Sequence, residues 1–170
     1  MDAIMTNLNN RFDRLMAWVD SLPGALLNRV VGAAMFVPTG TVLGVAAWLT
    51  PAEKGWGTHQ QLGLGGCTML TITGWPCPMC GMTTTFTHMA HGHLFSAFVT
   101  QPFGVALFSI TAIFAAIGLY DLVTARGAWR KTLAWIGDRE QLLAMGLLVG
   151  MTLGWVYKSV VMHPEVFHLG

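Results

Sequence analysis

The sequence predicts an all-α integral membrane protein with three transmembrane helices, an N-terminal amphipathic helix, and short helices in a cysteine-bearing outer segment. Three observations carry that reading. Of the 170 residues, 54% are apolar and 10% charged, far fewer charges than a soluble domain needs. Three windows, Val30 to Thr50, Phe103 to Val123 and Leu142 to Met162, are long and apolar enough for about 30 Å of hydrocarbon, which takes about 20 helical residues. Between Lys54 and Asp121 there is no Asp, Glu, Lys or Arg. A net charge of +1 supplies no field to hold nucleic acid, so the partners expected are the lipid bilayer and other membrane proteins or further copies of the chain.

Residues 1–29 read as a cytoplasmic leader and 30–170 as a single membrane domain. In the leader, Leu8, Phe12, Leu15, Met16 and Val19 recur at helical spacing, with Arg11, Asp13, Arg14 and Asp20 opposite, the pattern of a helix lying in the interface. Pro23-Gly24 breaks it before the first span. Because the first apolar span starts about 30 residues in, no cleaved secretory signal is expected. Gly40 and Gly44 in the first span, and Gly146, Gly150 and Gly154 in the third, are spaced to let helix backbones approach closely in lipid.

Orientation follows from the basic residues. Arg11, Arg14 and Arg29 precede the first span, and Arg126, Arg130, Lys131 and Arg139 fill the second connection, whereas the segment after the first span holds only Lys54. The excess belongs in the cytoplasm, which puts the N-terminus inside and the C-terminus outside, on the periplasmic side of the cell membrane. Lys158, near the outer end of the third span, is expected to snorkel beside Trp155 and Tyr157. Asp121 is expected to meet water or Arg126.

The outer segment, 51–102, carries all three cysteines, Cys67, Cys77 and Cys80. A stretch of this length with almost no charge is expected to fold back onto the bilayer or cap the bundle. In Trp75-Pro76-Cys77-Pro78-Met79-Cys80-Gly81 the flanking prolines extend the backbone at Cys77 and open a helix. Cys77 is then the expected N-cap, with Cys80 in a first turn where free N–H groups favour a thiolate. A helix continuing to His91 puts Cys80, Thr84, Thr87, His88 and His91 on one face and Met79, Met82, Phe86 and Met89 on the other. Gly92 ends it, and Leu94 to Gln101 forms a second short helix before Pro102.

These residues resemble the uncharacterised bacterial membrane proteins of domain-of-unknown-function family 2752. The similarity lies in Cys67, in Thr73-Gly74-Trp75-Pro76-Cys77-Pro78-Met79-Cys80-Gly81-Met82-Thr83, in Gly92-His93-Leu94 and in Gln101-Pro102, and covers roughly Leu62 to Tyr120. Thr84 stands where the family often has Arg, and the family motif does not demand His88, His91 or His93. The resemblance implies a helical membrane architecture and a cysteine site, and no reaction.

Three functions are open to such a chain. The first is a structural or accessory subunit of a membrane assembly whose outer cap is pinned by one disulfide among Cys67, Cys77 and Cys80; closing that loop is worth about 3 kcal/mol in the chain-entropy model. The second is a metal site on Cys77, Cys80, His88 and His91, holding zinc or, with methionines nearby, copper. The third is a membrane thiol–disulfide oxidoreductase built on the Cys-Pro-x-Cys pair with Cys67 as a third thiol. No resident cofactor is required by the first or third. Paired carboxylates, a phosphate loop and a Ser/His/Asp set are absent from the sequence, which favours a non-enzymatic role.

Overall fold

The structure, a computed structural model, describes Arg11, Arg14 and residues 23–163. The expected interfacial helix of the leader lies outside these residues. Among them the fold is all-helical, and three helices are long and apolar enough to cross a membrane: α1 (Gly24–Trp48), α5 (Pro102–Thr124) and α7 (Glu140–Met162). The second and third predicted windows fall inside α5 and α7, whereas α1 begins six residues before its window, directly after Pro23, and ends at Trp48, two residues short of the expected Thr50. Between α1 and α5 lie a 3-10 turn, η1 (Thr58–Leu62), and the short helices α2 (Thr68–Thr73), α3 (Met82–Ala90) and α4 (Leu94–Thr100). The connection after α5, which holds the basic residues, forms a further helix, α6 (Ala128–Gly137).

α1 and α5 form the most extensive pair, and glycine decides how close they come. A Cβ built on Gly32 would stand 2.6 Å from Leu122 N, and one on Gly118 would stand 2.7 Å from Phe36 N. The helices thus touch backbone to backbone. Of the glycines expected to pack, Gly150 and Gly154 lie against Phe103, at 2.8 and 2.9 Å from a built Cβ. Gly44 and Gly146 have nothing within 4 Å of that position, and Gly40 meets only Phe36 of its own helix. Among the described residues these three make no close contact with another helix. Gly44 and Gly146 are exposed, while the α1–α5 contact runs through Gly32 and Gly118.

At the basic end, Asp121 is fully buried. The backbone N–H groups of Ala128 and Trp129 donate to its two carboxylate oxygens, each at 2.7 Å. It meets neither water nor Arg126 as expected: it caps α6, whose first N–H groups have no partner within the helix. Arg126 instead donates to the Tyr120 hydroxyl. Asn28 completes this junction, donating to Ala125 O at 2.8 Å and accepting from Trp129 Nε1 at 3.1 Å.

At the opposite end the charge-free segment folds back as a cap over the bundle. α3 turns threonines inward: Thr84, Thr85 and Thr87 are fully buried. Thr84 and Thr58 of η1 share a hydroxyl–hydroxyl bond of 2.8 Å, and Thr87 returns its proton to Thr83 O. The apolar side of α3 reaches α5 through an edge-on contact between Phe86 and Phe108. Thr84 and Thr87 thus satisfy their buried hydroxyls, whereas the Thr85 hydroxyl is buried without a hydrogen-bond partner among the described residues.

Candidate functional site: a three-thiol cavity

Cys77 and Cys80 belong to a tight turn closed by Cys80 N–H donating to Cys77 O at 2.9 Å. Gly81 follows at φ 88°, in the left-handed region, and α3 starts only after it. The expected N-cap at Cys77 is therefore corrected. The prolines do extend the backbone, but Gly81 swivels the chain between the turn and the helix, and Cys80 never enters the first turn. A side chain at Gly81 would in any case strike Gly55 O at 2.9 Å and Lys158 Nζ at 3.2 Å.

Cys67 occupies the position foreseen for Cys77, as the extended N-cap residue of α2. All three cysteines then line one small cavity of about 50 Å³, together with His59, Trp56 and Thr83 among others. All three are free thiols. They are graded by depth, since Cys67 and Cys77 are half-buried and Cys80 is buried.

Their acidities follow the same gradient. The N–H of Leu70 at the start of α2, aided by the Cys77 thiol, holds the Cys67 thiol below the usual thiol range. Burial, reinforced by neighbouring Cys67, moves Cys77 the other way. Burial and then the Cys77 charge push Cys80 up to about 11, against a smaller downward pull from Lys158. Thus the sulfur most readily ionised is Cys67, with Cys77 as its interacting neighbour, and Cys80 stays protonated near neutral pH.

The histidines of the predicted metal set are elsewhere. His88 and His91 gather with His93 around the end of α3, with ring centroids 5.9 Å (His88 to His93) and 6.2 Å (His91 to His93) apart. His91 Nδ1 is bonded to Thr87 O at 2.8 Å. Burial, and then His93 and His91, lower the His88 pKa and favour its neutral form. Neither His88 nor His91 lines the thiol cavity, so the quartet Cys77, Cys80, His88 and His91 is not assembled. The fold brings in His59 instead, its Nε2 bonded to Gly65 O at 3.2 Å. Among the described residues no group of three or more His, Cys, Asp or Glu is arranged to hold a metal ion.

Lys158 is the other correction. Its side chain is 3% exposed and donates from Nζ to Gly55 O at 3.1 Å and Thr100 O at 3.2 Å. Instead of snorkelling, it reaches inward beneath the cap, because Gly81 leaves room and two carbonyls need a donor. The same end of α7 grips the cap further: Trp155 Nε1 donates to Pro76 O at 2.8 Å, and the Tyr157 hydroxyl to Val99 O at 2.8 Å. Beyond the end of α7, His163 bonds Gly74 O at 2.9 Å and packs its ring on Trp75. The cysteine turn is thereby clamped from the membrane side by non-covalent contacts.

Residues 67–115 match the family model of a protein of unknown function, DUF2752. No curated protein and no solved structure matches the chain. The DUF2752 match runs from Cys67 through the cysteine turn, α3 and α4 into the middle of α5. It covers the three sulfurs and the helices that position them.

Proposed function

We propose that this chain is a multi-pass membrane protein that carries a thiol–disulfide exchange site, with Cys67 as the attacking thiol and Cys77 as the sulfur that closes the disulfide. The observation supporting this reading is the convergence of three thiols on one cavity with Cys67, the more accessible of the interacting pair, the one biased toward thiolate. Thiolate character at a reachable sulfur is what exchange requires. A purely structural disulfide would join the same pair. It is less needed here, because Lys158, Trp155 and Tyr157 already hold the cap to α7. Cys80 is the spare thiol, kept inert by burial. We place the basic end, with Arg29, Arg126, Arg130, Lys131 and Arg139, in the cytoplasm and the thiols on the outer side, where disulfide chemistry is permitted. Association with further membrane proteins, or with other copies, fits the outward faces of Gly44 and Gly146.

The test is equilibration of purified protein with reduced and oxidised glutathione, followed by mass mapping. An exchange site gives a Cys67–Cys77 disulfide that interconverts within the glutathione range, and Cys67→Ser abolishes the interconversion, whereas Cys80→Ser leaves it in place. A bond that resists glutathione throughout, with a potential below about −300 mV, would support the structural pin and overturn exchange.

A further inference from the structure

Exchange at Cys67 and Cys77 needs a two-electron acceptor to renew the disulfide, and the structure offers a place for one on the lipid side of the cap. A groove of about 350 Å³ runs between α1 and α3, at the small end of the range for ligand pockets. Its walls are apolar, with Val42, Val45 and Leu49 from α1 and Met82 and Phe86 from α3. Two hydroxyls reach it. Thr41 donates to Val37 O of its own helix at 2.6 Å and has no proton to spare. Thr83 also lines the groove, and its hydroxyl makes no hydrogen bond to any described residue; the Thr83 carbonyl, not its hydroxyl, serves Thr87.

Thr83 is also a wall of the thiol cavity. One residue therefore stands between the sulfurs and an apolar groove, and its hydroxyl is an unused donor among the described residues. The occupant that matches is flat and apolar, carries a carbonyl acceptor at one end, and is delivered through the bilayer. On the basis of the exchange reading above, we propose that the α1–α3 groove binds a lipid-soluble quinone, with one carbonyl on the Thr83 hydroxyl, as the oxidant of the Cys67/Cys77 dithiol. The step balances: two S–H bonds break and one S–S bond forms. The two electrons and two protons released convert both quinone carbonyls to hydroxyls, giving the hydroquinone.

The experiment uses the reduced full-length protein in nanodiscs and a fully substituted benzoquinone with a single isoprene unit, which resists addition of thiols to its ring. Quinone absorbance and free thiols are followed together. The expected result is one hydroquinone formed for every two thiols lost. Thr83→Val removes one hydrogen bond and slows the reaction about tenfold. Val42→Trp, at a position half exposed on α1, fills the groove and does the same. Exchange with oxidised glutathione is unchanged in Val42→Trp, which lies outside the thiol cavity. Absence of quinone reduction, or equal rates in wild type and both variants, would overturn the proposal while glutathione exchange continues. Loss of glutathione exchange in the wild type would instead remove the exchange reading, and this inference with it.

Discussion

Lys158→Met is expected to loosen the cap by about 2 kcal/mol, or about thirtyfold in its opening equilibrium. Lys158 Nζ is the donor to Gly55 O and Thr100 O, two carbonyls from opposite edges of the cap, and methionine leaves both without a partner beneath it. Relief of burying an ammonium returns part of that cost, which keeps the net effect moderate. Lys158→Arg does not rescue, since the larger guanidinium must enter a slot where Gly81 already stands 3.2 Å from Nζ, measured from a built Cβ. The readout is alkylation of Cys80 in the folded protein. Its rate rises by the opening factor in both variants, because local opening is what exposes a buried thiol. An unchanged rate would show that Lys158 does not hold the cap.

Gly118→Leu is expected to separate α1 from α5, at a cost of about 3 kcal/mol or more. The atoms in the way are Phe36 N at 2.7 Å and Gly32 O at 2.9 Å, and backbone cannot swing aside as a side chain does. Gly44→Ala is the control, with nothing within 4 Å, and is expected within about 0.5 kcal/mol of wild type. Unfolding in mixed micelles by increasing fractions of denaturing detergent reads both variants. Helical signal persists in Gly118→Leu, since each span keeps its own backbone hydrogen bonds in an apolar medium, so the loss appears in the transition midpoint.

The architecture was legible because hydrophobic length is a strong signal. Helices α1, α5 and α7 each carry a long apolar run of spanning length, and the charge gap from Lys54 to Asp121 marked the cap. The cysteine segment was legible as a site because proline and cysteine types are locally informative. What failed was everything set by contacts distant in sequence. The thiolate expected at Cys80 rests on a helix opened by the prolines around Cys77, with Cys80 in its first turn. Gly81 at positive φ detaches that turn from α3, and Cys67, ten residues away, takes the helix-start position. His59 reached the cavity and His88 and His91 did not, because η1 packs onto α3 through Thr58 and Thr84, a pairing no local pattern announces. Gly32 and Gly118 set the closest helix approach, yet neither recurs at a four-residue interval. Lys158 did carry a signal that was read too mildly. It is the one cation between Glu140 and Met162, and a charge within a span usually has a carbonyl or a partner waiting for it. Asp121, inside the end of α5, follows the same rule with backbone N–H groups as its partners.

The grading of the three sulfurs is the claim on which the functional reading stands, and alkylation of the reduced, folded protein as a function of pH tests it most directly. Modification of each cysteine is quantified by peptide mass. The account predicts that Cys67 reacts first, with a midpoint below the ordinary thiol value, that Cys77 follows above that value, and that Cys80 resists until about pH 11. At pH 8 a thiol of that pKa is about one part in a thousand thiolate. Cys80 reacting ahead of Cys67, or all three titrating together near the ordinary value, would contradict it.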